Sequence, residues 1–311
     1  MATVSVEDLS KRYGEVDAVI DVSFEVQQGE VFALLGPNGA GKTTTIEILE
    51  GFRRRDHGRV NVLGYDPANS ATSRQLRERL GVVLQELAVE PFLSVRQALT
   101  RNAGYYPRPR PVDEVLELVG LGSKANARVK TLSGGQQRRL DLGLGIIGNP
   151  ELLVLDEPTT GFDPTARRGA WDLVRSMTGG GTTIILTTHY MDEAEALADR
   201  VAVINAGRII AEGPPESLGG RDVGDVTIRF RLPPTTTATD LPVPATVADS
   251  GAIEIRTTKE IEVLATLTNW ALREEIGLIG LTVERLTLED VYLRLTGYGS
   301  DAEAAPSGIG A

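Results

Sequence analysis

The sequence contains no cysteine and only two histidines, His57 and His189. Structural disulfides, Cys-ligated zinc and thiol catalysis are thereby excluded, and a histidine-rich metal site lacks ligands. The absence of thiols fits a reducing compartment. Basic residues are in deficit too: 32 Lys and Arg against 43 Asp and Glu leave a net charge of −11. A chain of that sign repels phosphate backbones on average, which opposes general nucleic-acid binding but leaves room for a local basic pocket. No apolar run approaches the ~18–20 residues of a membrane-spanning helix. The opening MATVSVEDLSKRYGEVDAV has no apolar stretch of the secretory kind. A soluble, cytoplasmic chain is expected, with any membrane role reached through a partner. No internal repeat occurs at a fixed period.

What is present is ordinary globular material. The 311 residues are 41% hydrophobic and 24% charged, enough for about two domains with buried cores. Short apolar runs alternate with helical stretches, the pattern of an α/β protein built on a mostly parallel sheet. VFALLG (Val31 to Gly36) is continuously apolar, as a strand covered on both faces is. A helix is expected from Lys42 through Leu49. From 86 to about 131 the character turns helical, with YYPRPRP interrupting it, so a helical subdomain inserted into the α/β unit is expected. ELLVLDEP and TTIILTTH restore the parallel-sheet pattern, and VAVINAGRIIAEG reads as a strand pair turned at 205–207. The first domain is placed at 1–221. Residues 222–297 read as a small α+β domain, and the Gly/Ala-rich stretch 298–311 as a disordered tail.

Three strings carry chemistry. Gly36-Pro37-Asn38-Gly39-Ala40-Gly41-Lys42-Thr43, with Thr44 following, matches G-x-x-x-x-G-K-[ST] between a buried strand and a helix. Glycines let backbone amides wrap phosphate oxygens, and the helix N-terminus adds positive potential. Lys42 is expected to reach the β- and γ-phosphates of a nucleotide and Thr43 to ligate Mg²⁺. The second string, Leu152 to Glu157, is an apolar strand ending in two carboxylates. Asp156 is assigned to the Mg²⁺, and Glu157, facing differently one residue on, to the attacking water as general base. The third, Leu132-Ser133-Gly134-Gly135-Gln136, precedes a helical stretch and offers hydroxyl and backbone donors to a second anion.

With both phosphate-binding strings present, residues 3–215 resemble an ATP-binding cassette (ABC) ATPase, the nucleotide-binding subunit of an ABC transporter. The resemblance implies a P-loop NTPase core with a helical subdomain, working as a homodimer with two ATP molecules sandwiched between subunits. Ser133, Gly134, Gly135 and Gln136 would grip the γ-phosphate held by the other subunit. Tyr13 matches the aromatic that stacks on adenine, and Gln85 the glutamine that contacts metal and water. Asp163 matches the aspartate that crosses the dimer interface, and His189 the switch histidine at the γ-phosphate. His57 and the arginines of 53–55 are read as solvated. The stretch after His189 and the C-terminal TLEDVYLRLTG are similar to bacterial drug-resistance exporters of the daunorubicin type. A separate polytopic membrane permease is then implied, contacted through roughly 86–100 including Phe92, with the subunit peripheral on the inner face of the membrane. The cargo stays open among a drug, an ion, a lipid and a polysaccharide. An ABC ATPase acting on DNA or the ribosome is opposed by the single cassette, the absent cysteines and the acidic charge.

Overall fold

The computed structural model describes residues 2–83, 89–220, 226–234, 236–248, 250–285 and 287–296. It divides into two units, Met1–Pro215 and Glu216–Ala311. That division falls slightly ahead of the expected 221/222 boundary. Leu218 is buried, and a Cβ on Gly219 would stand 2.5 Å from Cγ1 of Val291, so the turn at 218–220 packs within the second unit.

In the first unit, β1 (Ala2–Tyr13) and β2 (Val16–Gln27) form an antiparallel hairpin. The chain then enters a different sheet through β3 (Val31–Leu35), whose five residues are all buried, as its unbroken apolar run requires. After α1 (Lys42–Leu49), β4 (His57–Val62) returns to the free edge of β1, completing a three-stranded antiparallel sheet in the order β2-β1-β4.

The larger sheet is assembled by α/β crossovers. It takes in β5 (Leu80–Val83), which follows α2 (Ser73–Arg77), and β6 (Leu152–Asp156). Between those strands lie α3 (Val95–Ala103), α4 (Val112–Leu118) and α5 (Gly134–Ile146). The helices α3 and α4 fall in the expected helical insertion, separated by the proline-rich turn, and α5 packs against both. Then come α6 (Pro164–Gly179), β7 (Thr183–Thr188), α7 (Met191–Leu197), β8 (Arg200–Asn205) and β9 (Arg208–Gly213). The strand order is β5-β6-β7-β3-β8-β9, with the first five parallel and β9 antiparallel at the edge.

A single hydrophobic cluster joins the two sheets through α1. It includes Val4, Val6 and Leu9 of β1, Ile46 and Leu49 of α1, and Leu34, Val154 and Ile185 of the large sheet. The rings of Phe24 and Phe32 stack across this layer at 5.0 Å. Each fully buried Leu, Ile or Phe contributes roughly 1.5–3 kcal/mol through burial, so this layer clamps α1 firmly between the sheets. Register places Leu35 opposite Thr188 and Asp156 opposite Thr187. The carboxyl ends of β3, β6 and β7 therefore open at one level, where ligands bind in parallel sheets.

The second unit contains β10 (Val226–Arg231), β11 (Thr246–Val247), β12 (Ile253–Thr257), α8 (Glu260–Arg273), β13 (Ile279–Glu284) and α9 (Leu288–Thr296). Its antiparallel sheet runs β11-β12-β10-β13. Alternate residues Ile228, Phe230, Ile253 and Ile255 pack on Leu267, Trp270 and Ala271 of α8, an α+β core as expected. No helix among the described residues is long and apolar enough to cross a membrane.

Candidate active site

The loop 36–41 turns tightly from β3 into α1 under steric constraint. A Cβ on Gly36 would stand 2.2 Å from the carbonyl oxygen of Ile204, and one on Gly41 2.4 Å from that of Ala18. Gly41 also has φ +105°, which side-chain-bearing residues rarely adopt. It occupies the N-cap of α1 without a side-chain cap, so the first amides of that helix face outward as donors. Beside them opens a cleft of about 480 Å³ lined by Tyr13, Ala18, Asn38, Gly39, Gly41, Lys42, Thr43, Thr44 and Glu157. That is ligand-sized. Ala40 lies buried beneath the loop, its amide donating to the Pro37 carbonyl at 3.2 Å. Tyr13 stands at the cleft with its ring half exposed, between Nζ of Lys11 at 5.3 Å and the Arg53 guanidinium at 5.2 Å from the ring centre.

Lys42 is 5% exposed and donates to the carbonyls of Gly36 at 2.8 Å and Pro37 at 3.1 Å. Burial lowers its pKa, against the opposing pull of Glu157 and Asp156. Its Nζ lies 3.9 Å from Oε1 of Glu157, and Nδ1 of His189 lies 3.3 Å from the same oxygen. Two sequence-predicted residues thus converge on one carboxylate oxygen of a third. The His189–Glu157 approach lacks hydrogen-bond geometry, and the buried Nδ1 has no hydrogen-bond partner among the described residues. The other carboxylate oxygen, Oε2, accepts from Thr160 at 3.3 Å. Glu157 itself sits at φ +46°, a left-handed conformation costing roughly 1–3 kcal/mol in a non-glycine residue.

Asp156, at the end of β6, is 5% exposed, with Oδ1 accepting from the Thr187 hydroxyl. Burial raises its pKa and the neighbouring Glu157 raises it further, against the Thr187 hydrogen bond, Lys42 and Arg138. At the C-terminal end of α1, Glu50 is buried too, and its pKa is pushed up to about 8, by desolvation first and then by Asp156 and Glu47. Among the described residues its Oε1 has no hydrogen-bond partner.

The other expected residues stand elsewhere. None of Ser133, Gly134, Gly135, Gln136 and Asp163 is among the residues lining the cleft. Ser133 is the N-cap of α5 and closes a capping box, its hydroxyl accepting from the Gln136 amide and its own amide donating to Oε1 of Gln136 at 3.0 Å. A Cβ at Gly134 or Gly135 would meet nothing within 4 Å, so this chain's own packing does not demand glycine there. Asp163 caps α6, accepting from the Ala166 amide at 2.8 Å. Phe92 is exposed beneath Nζ of Lys130, 4.7 Å from the ring centre. Gln85 and the stretch 298–311 lie outside the described residues. Of the arginines read as solvated, Arg55 is half-buried in a bidentate pair with Asp66, at 2.8 and 2.7 Å.

Sequence reasoning missed Thr187, Glu50 and Arg138. The Arg138 guanidinium donates to the carbonyls of Asp156 at 3.0 Å, Glu157 at 2.9 Å and Pro158 at 3.0 Å. Its signal was available: 138, 141, 142 and 145 share one face of α5 at helical spacing, so Arg138 and Asp141 fall on an inward stripe. Glu50 and Thr187 have no comparable local signal.

Comparison with known proteins decides the family. The ABC transporter family model matches residues 19–160. A C-terminal-domain model of ABC transporter domain-containing proteins matches 226–287. The daunorubicin resistance ATP-binding protein DrrA3 of Streptomyces coeruleorubidus is 38% identical over 304 residues, 94% of this chain and 96% of that protein. The chain belongs to the ABC transporter ATP-binding proteins. This ABC subunit is similarly 40% identical over 308 residues to the Nod factor export ATP-binding protein I of Burkholderia lata, covering 96% of this chain and 98% of the relative. The dimeric structure of MJ0796, a bacterial ABC transporter cassette, superposes with a TM-score of 0.62 at 22% identity, over 68% of this chain and 98% of that one. That likeness establishes the cassette fold. The protein is an ATP-binding, ATP-hydrolysing subunit of an ABC transporter.

Proposed function

We propose that this ABC subunit powers export of a drug or other hydrophobic compound through a separate polytopic membrane permease. It would do so by ATP-driven closure of a homodimer on the cytoplasmic face of the membrane. The observation that carries the reading is the near full-length similarity to a daunorubicin resistance ATP-binding protein. A second reading, export of a Nod-factor-like cargo, is favoured by the equally extensive similarity to Nod factor export proteins.

In this mechanism ATP lies along the cleft with adenine against Tyr13. The amides of 38–44 cradle its phosphates, and Lys42 exchanges its bonds to the Gly36 and Pro37 carbonyls for the β- and γ-phosphates. Mg²⁺ fits the donors here. Asp156 is a desolvated carboxylate crowded by Glu157, an arrangement a cation relieves, and the Thr43 hydroxyl and Gln85 carbonyl are the hard oxygen ligands it prefers. Asp156, Thr43 and Gln85 would hold Mg²⁺, which would supply positive charge to neutralise the phosphates. Glu157 Oε1 takes the proton of the attacking water, and His189 holds the γ-phosphate and that water. Ser133, Gly134, Gly135 and Gln136 of a second copy close over the γ-phosphate, with Asp163 crossing the same interface. The open space above the two glycines supports an approach from outside the chain. Splitting the phosphates reopens the dimer, and the cycle moves the permease between its two access states, with contact through 86–100.

The test is affinity capture of the tagged subunit from native membranes. Stoichiometric, salt-resistant recovery of a polytopic membrane protein is the expected result. Recovery only in the soluble fraction with ribosomes or nucleic acid would discard the exporter reading.

A further inference from the structure

We propose that Arg138 is a positioning residue for hydrolysis. Its guanidinium sets the backbone that aims Glu157 at the attacking water, and does so from the helix that starts at Ser133. This inference rests on the reading of Glu157 as general base.

The argument begins with backbone direction. In an extended strand successive carbonyls point to opposite sides, so three consecutive carbonyls cannot meet one cation. Here the carbonyls of Asp156, Glu157 and Pro158 all accept from Arg138, at 3.0, 2.9 and 3.0 Å. They converge because Glu157 leaves the strand at φ +46°. That conformation is unfavourable for a side chain branching beyond Cβ and persists only where surroundings over-determine it. The surroundings are visible on both sides. The Glu157 amide is held by the carbonyl and hydroxyl of Thr187, each at 3.1 Å, and the carbonyl side is held by Arg138. A rigid, planar guanidinium with five donors suits a fan of three fixed acceptors, which the ammonium of lysine cannot match in geometry.

The guanidinium is itself fixed. Arg138 is 8% exposed, and its Nη1 donates to Oδ2 of Asp141, one turn on, at 3.3 Å. Arg138 is thereby held in one orientation inside the protein, and it meets the cleft lining at the main-chain carbonyl of Glu157, at 2.9 Å. Its route to the general base runs through the Glu157 backbone. The same helix begins with Ser133, Gly134, Gly135 and Gln136, the residues proposed to meet the partner's nucleotide, with Arg138 a little over one turn further in. A shift of α5 on dimer closure would thus be felt by the general base of the same chain.

The test uses the purified full-length chain with MgATP, comparing wild type, Arg138→Lys, Arg138→Met and Glu157→Gln. Arg138→Lys keeps the charge and at least one carbonyl bond. It is expected to bind ATP within about twofold of wild type while kcat falls about tenfold or more, and to accumulate ATP-bound dimer on size exclusion as Glu157→Gln does. Arg138→Met is expected to lose more of kcat. Should it fail to fold, the decision rests on Arg138→Lys. Wild-type kcat in Arg138→Lys, or equal losses of kcat and ATP affinity, would overturn the proposal, because a merely structural role weakens both together. Wild-type turnover in Glu157→Gln would instead overturn the general-base reading beneath it.

Discussion

Lys42 and Glu157 face each other across the cleft at 3.9 Å, one at the start of α1 after the loop that leaves β3 and the other just past the end of β6. The strands themselves are not neighbours, since β7 lies between them. The pair meets because the loop 36–41 folds back over the sheet edge and Glu157 departs from its strand in a left-handed turn. His189, from the end of β7, reaches the same carboxylate oxygen between them. Each of three adjacent strands thus delivers one charged or ionisable group to one point.

Lys42→Ala should abolish tight ATP binding. Charge-assisted bonds to phosphate contribute about 1.5–3 kcal/mol each net, so affinity is expected to fall by roughly 10- to 100-fold or more. Calorimetric titration with ATP checks this. Undiminished affinity would refute the phosphate-loop assignment.

Glu157→Gln keeps the shape of the side chain and removes the proton acceptor. Turnover should fall by about 10²–10⁴-fold while ATP binding persists. Light scattering in MgATP should then show a stable dimer, and a monomer that binds ATP normally would count against the sandwich.

The glycines separate structural from functional demand. Gly41→Ala should destabilise the fold by about 2–4 kcal/mol, because strain at φ +105° adds to a Cβ 2.4 Å from the Ala18 carbonyl. Gly134→Ala meets nothing within 4 Å and should leave the unfolding midpoint unchanged while weakening ATP-driven dimerisation. A denaturant series on both variants, with dimerisation measured on the second, distinguishes the two roles.

Glu50 should leave a pH signature. Its pKa rises from an ordinary 4.5 to about 8 on folding, so the folded state holds a proton that the unfolded state has released. Its contribution is fully present below pH 4.5 and is lost as pH rises toward 8, with a slope of at most about 1.4 kcal/mol per pH unit. Glu50→Gln removes that slope. In magnesium-free buffer the variant should gain stability relative to wild type between pH 5 and pH 8, as read from urea midpoints. A constant difference across that range would show that Glu50 titrates normally.

Much of the site was legible because its chemistry is written in contiguous strings. Gly36 to Thr43, Leu152 to Glu157 and Leu132 to Gln136 each combine a strand or helix end with the donors placed there, and local backbone rules fix those geometries within a few residues. The start of α1 at Lys42 and the all-buried β3 followed in the same way. Arg138 was half legible, since its helical face marked it as inward but its acceptors lie about twenty residues downstream.

Tertiary structure alone decided the rest. The return of β4 to β1 and the insertion of β7 between β3 and β6 are pairings between distant strands, and alternation within a strand carries no label for its neighbour. The states of Asp156, Glu50 and Lys42 followed from those pairings, because desolvation depends on which layers close over a group. The sequence by itself named the groups proposed to handle phosphate and water. Packing decided which of them lose their water, which share a carboxylate oxygen, and which carbonyls turn together toward one arginine.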